Sequence, residues 1–164
     1  QLLGSQNDMA TIRLLIPKSQ LEALLAQDKI MLDVVSFFSG QPLYISNAMF
    51  RSLLRKLTHL LTCESHKSIH EITLLEDVHA KRLRNLNMFV KKNTCISIFN
   101  KPEQYRSEEE PLLLTTTESS IIHSLYMFCD QVWNHTLPQK REKTYVARQL
   151  QIMLETILPP PHVI

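Results

Sequence analysis

Glycine is scarce in this chain of 164 residues, because only Gly4 and Gly40 occur. An average soluble sequence contains about 7% glycine. Dinucleotide-binding turns, phosphate-binding loops and nucleophile elbows all need glycine at fixed spacings, and none of these motifs can be built around Gly40. The sequence therefore argues against the nucleotide-binding α/β enzymes.

Leucine is abundant instead, with 26 residues in a chain that is 44% hydrophobic. Leucine-rich, glycine-poor sequences are typical of helices packed on helices. We therefore predict an all-α fold, either an irregular helical bundle or a short armadillo- or HEAT-like α-solenoid of about five to seven helices. No internal repeat distinguishes the two architectures.

Apolar stripes and capping residues indicate where the helices lie. A stripe from Phe50 to Leu61 has the helical period and predicts a helix over residues 46–62. A Ser-x-x-Glu capping box at Ser68 to Glu71 opens a second periodic stretch, which predicts a helix over residues 68–92. We expect these two helices to form a central hairpin. Further helices are expected over residues 9–16, 19–38 (as one helix or two) and 138–158, and from a cap at 115–118 to residue 135.

Residues 93–99 alternate apolar and polar side chains and are rich in β-branched residues. A strand here needs a partner, which residues 88–90 would supply through a turn at Lys92 and Asn93. The sequence leaves two alternatives open, a short β-hairpin near residues 88–99 or a continuing helix followed by a loop.

We expect a single domain. Gly4 and Ser5 in the first five residues are typical of a cloning scar, so residues 1–5 are not expected to be native. The helical domain then covers residues 6–158. Residues 100–111 have no apolar period and predict an acidic loop, either exposed or disordered. Residues 159–164 form a proline-rich tail.

Charge is unevenly distributed along the chain. Residues 51–101 hold ten Lys and Arg against four acidic residues, whereas residues 102–138 hold six acidic residues and one base. Such segregation indicates either an electrostatic binding face or two parts of a domain that face each other. The basic residues assigned to the candidate binding face are Arg51, Arg55, Lys56, Lys81, Arg82, Arg84, Lys91 and Lys92.

Candidate catalytic groups do not combine in the sequence. Cys129 and His123 lie six residues apart on one predicted helix, which places them on different faces. Glu108 to Glu110 lie where solvated charge is expected. We therefore expect no enzymatic activity and no cofactor.

The best metal-ligand candidates are His59, Cys63, His66 and His70. Imidazole and thiolate are zinc ligands. His70 falls inside the capping box, however, and no Cys-x-x-Cys pair accompanies the cluster. We therefore expect no metal site.

The three cysteines are an odd number and widely spaced, which favours a reduced, intracellular protein of the nucleus or cytoplasm. No apolar run approaches the ~18 residues that span a bilayer, so no membrane association is expected.

Protein binding is the interpretation that remains. We expect a scaffold or adaptor domain of a larger intracellular protein, acting as a complex subunit. A groove between helices would bind an acidic or amphipathic partner segment, or a helical face would form a homo- or hetero-oligomer. The alternative is nucleic-acid binding by the basic faces of helices 46–62 and 68–92.

Overall fold

A computed structural model of the chain describes residues 13–32, 41–63, 71–76, 86–91, 95–100 and 112–159. Most of these residues are helical, and short β-strands lie between the helices along the chain. In chain order the elements are β1 (Arg13–Pro17), α1 (Lys18–Leu25), β2 (Lys29–Met31), β3 (Tyr44–Ser46), α2 (Asn47–Thr62), β4 (Glu71–Leu75), β5 (Leu86–Lys91), β6 (Cys95–Asn100), β7 (Leu112–Thr116), α3 (Ser119–His135), a 3₁₀ helix (Pro138–Arg141) and α4 (Lys143–Thr156).

The centre of the fold is a pair of parallel strands, β1 and β4, in register from Arg13 opposite Glu71 to Pro17 opposite Leu75. Parallel strands are usually covered on both faces and are therefore apolar at successive positions. Strand β4 follows this rule, because its last four residues, Ile72 to Leu75, are all buried.

The predicted helix over residues 68–92 is wrong where the structure describes it. Residues 71–75 and 86–91 form strands β4 and β5, and residues 77–85 lie outside the described part of the chain. Ile72 and Leu75 have the i, i+3 spacing of a helix face, but Thr73 and Leu74 between them are buried as well. A continuous apolar run of this length fits a buried strand as well as a helix, and pairing with β1 decides the outcome.

The predicted central hairpin of helices 46–62 and 68–92 is wrong for the same reason. The first of these helices is confirmed, since α2 covers Asn47–Thr62 and its N-cap residue Ser46 accepts a hydrogen bond from the backbone N–H of Met49 at 3.2 Å. Its helical partner is α4. The main core forms where these two helices meet α1 and β4, and its fully buried members include Leu25 of α1, Ile72 of β4, and Val146 and Leu150 of α4.

The β-hairpin alternative for residues 88–99 is confirmed. Strands β5 and β6 pair antiparallel from Leu86 opposite Asn100 to Lys91 opposite Cys95. Strand β7 adds a third antiparallel strand, so residues 115 and 116 belong to a strand and helix α3 begins at Ser119. Strand β1 takes the place of the second half of the helix expected over residues 9–16. Within residues 19–38, expected as one helix or two, the structure has helix α1 followed by strand β2, and residues 33–40 lie outside the described part of the chain. Residues 101–111 and 160–164, the predicted loop and most of the tail, lie outside the described residues.

The 3₁₀ helix is joined to strand β4 by side chains. The buried Thr73 hydroxyl donates a hydrogen bond to the Lys140 carbonyl at 3.0 Å. The Lys140 ammonium pairs with Glu76, which also lies 3.6 Å from the Lys18 ammonium. The hydrogen bond from Lys140 lowers the pKa of Glu76, and this effect exceeds the opposing effect of burial.

Stability should therefore depend on pH through Glu76. Its pKa is lower in the folded state than its ordinary value of 4.5, so the stabilisation is complete above that value and is lost as pH falls through the folded pKa. We expect Glu76→Gln to cost about 0.5 to 1 kcal/mol at pH 7 and progressively less below about pH 4.5, the group being partly exposed. Urea unfolding of both proteins from pH 7 to pH 3 measures the difference.

Lys140→Met provides the matched variant, because it removes the main cause of the lowered Glu76 pKa while leaving the carboxylate in place. On the Lys140→Met background, Glu76→Gln should cost less at neutral pH than it does in the wild type. A cost that stays constant from pH 7 to pH 3 in the wild-type background would contradict the ion-pair account.

Candidate partner-binding groove

Only some of the basic residues that were predicted to form one binding face lie together on the surface. Arg55 and Lys56 are exposed on α2, whereas Arg51 is 5% exposed and lies in the interior. Lys91 is the last residue of strand β5 and not part of a helix. Lys81, Arg82, Arg84 and Lys92 lie outside the described residues. Of the predicted face, Arg55 and Lys56 are therefore the residues that lie side by side on an exposed helix surface.

Arg51 joins three helices. Its Nε donates to Asn47 Oδ1 at 2.6 Å, its Nη1 donates to the Leu154 carbonyl at 3.0 Å, and its Nη2 donates to the carbonyls of Ile157 and Leu25. These carbonyls lie at the carboxyl ends of α1 and α4, where helix dipoles favour a cation. Burial lowers the pKa of Arg51, and the nearby charge of Arg55 lowers it further. An arginine pKa starts so high that the group stays charged.

The side chain of Asn47 completes this junction. Its Nδ2 donates to the carbonyls of Leu25 at 2.8 Å and Gln27 at 2.6 Å. The sequence spacing indicates that these residues are buried, because Asn47, Arg51 and Leu54 recur at helical intervals and share the buried face of α2. We predicted that Arg51 lies on the surface because it is basic. Its position on the buried face of α2 determines its role instead.

A groove runs between α2 and α4. The start of α2 lies against the end of α4, as the contacts of Arg51 with Leu154 and Ile157 show, so the two helices are antiparallel. The cavity between them has a volume of about 270 Å³ and is open to solvent. Its lining residues are Arg55, Thr58, Gln151, Leu154 and Glu155. We call it the α2/α4 groove.

The groove combines an apolar floor with polar walls. Leu154 is half-buried, whereas Arg55, Gln151 and Glu155 are exposed. Gln151 Nε2 donates to Glu155 Oε1 at 2.9 Å, and the Thr58 hydroxyl donates to the Leu54 carbonyl at 2.9 Å. The Glu155 carboxylate therefore already accepts one hydrogen bond from its own helix.

A second exposed arginine lies near the groove. Arg148 precedes Gln151 by three positions on α4, so it lies one turn along its helix from a lining residue. Arg55 and Arg148 are both exposed, and so is His59, which follows Arg55 by four positions on α2. The two arginines thus outnumber the one acidic lining residue, Glu155.

A second charged cluster surrounds Trp133, which is 8% exposed. The guanidinium of Arg13 lies 4.9 Å from the centre of the indole ring, and that of Arg141 lies 5.3 Å from it. Arg13 also pairs with Glu71 and, at 2.9 Å, with Asp130. Burial lowers the pKa of Arg13, but the hydrogen bonds to Glu71 and Asp130 and the attraction of their charges together raise it by more. These charges satisfy one another and join α3 to the parallel strands, so the cluster stabilises the fold.

The Cys129 thiol is not arranged as a nucleophile. Burial raises its pKa, and the charge of Arg13 opposes that shift only in part. A thiol with a raised pKa stays protonated at neutral pH, whereas the thiolate is the reactive form. Cys129 is therefore best described as a small, partly buried side chain of α3.

Comparison of the chain with protein-family models, with curated proteins and with solved structures finds no match. None of the helices in the described residues is long and apolar enough to cross a membrane. With no related protein to indicate a function, the α2/α4 groove and the charges beside it are the basis for a functional proposal.

Proposed function

We propose that this chain is a non-enzymatic protein-binding domain of a scaffold or adaptor, and that the α2/α4 groove holds an acidic segment of its partner. The observation that carries the proposal is the placement of Arg55 beside the apolar floor of Leu154 in an open groove. Its volume of about 270 Å³ lies just below the range of about 300 to 1,000 Å³ for ligand pockets, so we expect the groove to hold one apolar side chain of the segment while the neighbouring residues of the segment lie along the surface.

The groove favours one kind of segment. Leu154 offers contact to an apolar anchor, and the Arg55 guanidinium offers a forked pair of donors to a carboxylate. Arg148 extends the positive charge beyond the cavity at the end of the groove formed by the last turns of α2 and the first turns of α4. An acidic segment with one bulky apolar residue satisfies all of these groups, and docking of such a segment into a groove between helices is a recurrent mode of recognition.

We also propose that the whole domain is a helical bundle or short α-solenoid of five to seven helices, as the sequence predicts. The antiparallel α2 and α4 pair is the kind of helix pair such an architecture uses. The α2 and α4 pair offers one groove. Further helix pairs stacked beside it would lengthen the binding surface.

Nucleic-acid binding was the sequence alternative, and the described residues favour it less. Arg51 contacts carbonyls in the interior, which removes one of the cations that would track a phosphate backbone. Salt-dependent binding of oligonucleotides at the affinity of the best peptides would reverse this preference.

Selection of short random peptides on the immobilised full chain tests the proposal. We expect the enriched peptides to contain Asp or Glu next to a bulky apolar residue. Because a charge-assisted hydrogen bond is lost and a repulsion is added, Arg55→Glu with Arg148→Glu should weaken the best peptide by about 30-fold or more. Fluorescence polarisation of the labelled peptide measures the affinity.

Lys29→Glu is the matched control for Arg55→Glu alone, because each variant reverses one exposed base and Lys29, on β2, does not line the groove. It should change the peptide affinity by less than about threefold, and neither variant should shift the melting temperature by more than about 2 °C. Equal losses in the two variants would show general charge attraction and would remove the groove from the proposal.

A further inference from the structure

The outer side of α2 carries an apolar row that is largely exposed to solvent. Met49 is 54% exposed, and Leu53, one turn later, is 47% exposed. Leu57 continues the row by one more turn and is half-buried, because it also packs against the main core. Side chains four positions apart form a ridge on a helix surface, and such ridges pack into the grooves of a second helix. The row of Met49, Leu53 and Leu57 therefore has the form of a helix-packing surface.

The apolar row is separate from the α2/α4 groove. Arg55, which lines the groove, follows Leu53 by two positions, and two positions correspond to about 200° of rotation around a helix. The two side chains therefore point to nearly opposite sides of α2. Phe50 and Leu57 pack against the main core and fix the position of the helix. A partner that packs on the row leaves the groove free, so this second surface goes beyond the proposed function.

The charged side chains of α2 are all basic. Lys56 is exposed and lies three positions after Leu53 and four before Leu60, so it adjoins the apolar row. From Asn47 to Thr62 the helix contains no Asp or Glu. Because complementary charges select the partners of an interface, Lys56 favours a partner whose apolar side chains are accompanied by carboxylates.

Two other occupants fit the row less well. In a symmetric dimer the same surface of both copies meets, and Lys56 of one copy would approach Lys56 of the other with no carboxylate on either α2 to offset the repulsion. A lipid surface would gain little apolar contact. The wide apolar face of α2 is turned inward, where Leu54 and Leu61 are buried, and membrane binding by a helix scales with the apolar area that enters the lipid.

We propose that the row of Met49, Leu53 and Leu57 binds an acidic amphipathic helix of a partner protein. Apolar side chains of that helix at positions i, i+4 and i+7 pack along the row. An Asp or Glu beside this stripe accepts a charge-assisted hydrogen bond from the Lys56 ammonium. At about 1.5 Å per residue the row is about 12 Å long, so it contacts about two turns of the partner helix.

Selection from a library of helices, displayed on a stable helical-hairpin scaffold and randomised on one face, tests the proposal with the full chain as the immobilised target. We expect the enriched helices to carry apolar residues at i, i+4 and i+7 with Asp or Glu beside them. Leu53→Asp should weaken the best helix by at least about tenfold, because an apolar contact is lost and a repulsion is added. Lys56→Glu should weaken it by at least about fivefold. Fluorescence polarisation of the labelled helix measures both affinities.

Ile121→Asp is the matched control for Leu53→Asp, because Ile121 is 44% exposed and lies on α3. It should change the affinity by less than about twofold, and so should Arg148→Glu, which alters the charge beside the groove. None of these variants should shift the melting temperature by more than about 2 °C, since each replaces an exposed side chain. If Leu53→Asp lowers the melting temperature further, Lys56→Glu supplies the decisive comparison.

Selection that enriches no helix would overturn the proposal, and so would equal losses in Leu53→Asp and Ile121→Asp. A loss caused by Arg148→Glu and not by Lys56→Glu would assign the helix to the groove. Two further measurements test the other occupants. Binding of the wild type, but not of Leu53→Asp, to vesicles of phosphatidylcholine and phosphatidylserine would make the row a membrane surface. A dimer in sedimentation that Leu53→Asp dissociates would assign the row to a second copy, and either result would overturn the proposal.

Discussion

Replacing Arg51 with alanine is expected to lower the free energy of unfolding by about 3 to 4 kcal/mol. The substitution removes the donors that satisfy the Leu154 and Ile157 carbonyls and leaves Asn47 Oδ1 without its partner. Each buried polar group left unsatisfied costs about 1 to 3 kcal/mol. For a chain of this size the melting temperature should fall by about 6 to 16 °C. Thermal unfolding followed by circular dichroism measures the effect.

Two further variants make the Arg51 result specific. Arg55→Ala removes the same side chain one turn later on the exposed face of α2 and should cost no more than about 0.5 kcal/mol. Arg51→Lys should recover little of the loss, because an ammonium cannot reproduce the planar fork of donors that reaches several carbonyls. If Arg51→Ala and Arg55→Ala were equally stable, the junction of α1, α2 and α4 would not depend on Arg51.

Replacing Trp133 with alanine is expected to cost about 3 to 5 kcal/mol, the range for removing a large buried aromatic side chain. The indole is 8% exposed and lies between the guanidinium groups of Arg13 and Arg141. Both cation–π contacts are lost with the ring, and each contributes about 0.5 to 2 kcal/mol. Because the chain has one tryptophan, unfolding of this variant must be followed by circular dichroism in urea.

Trp133→Phe keeps an aromatic face for both guanidinium groups and should therefore lose clearly less stability than Trp133→Ala. Tyr44→Ala is the second comparison, since Tyr44 is 55% exposed and its ring contributes little buried area. A Trp133→Ala variant no less stable than Tyr44→Ala would show that the cluster around Trp133 does not hold α3 to the strands.

The local sequence signals were sufficient for helix α2. Its apolar stripe and the Ser46 cap lie within one segment, and the structure confirms the helix and its cap. The buried face includes Leu54 and Leu61 of the stripe, whereas Leu53 is 47% exposed. The hairpin of β5 and β6 is also local, and its alternation of side chains made it one of two alternatives. Strand β4 was not predictable in the same way, because its partner β1 lies 58 residues earlier at the Arg13 and Glu71 pair. Buried on both faces, β4 has no polar side whose period would distinguish strand from helix.

The candidate site was predictable only in part, for a similar reason. The helical period places Arg55 and Lys56 on an exposed face of α2, as the structure confirms. The groove itself depends on α4, which meets α2 across 103 residues at the contact between Arg51 and Leu154. The same period places Arg51 beside Leu54 on the buried face of α2. Burying its charge is tolerable because distant backbone carbonyls accept its hydrogen bonds, and the sequence around Arg51 gives no sign of those carbonyls.

The central claim is that Arg55 in the α2/α4 groove binds a carboxylate of the partner segment, and a charge-swap cycle tests it most directly. Fluorescence polarisation would give the affinities of wild type and Arg55→Glu for the best selected peptide and for the same peptide with its essential acidic residue replaced by lysine. We expect each single change to weaken binding at least about tenfold, and the two changes together to restore most of the loss, a coupling of about 1.4 kcal/mol or more. Losses that simply add in the double combination would contradict a direct contact between Arg55 and the acidic segment.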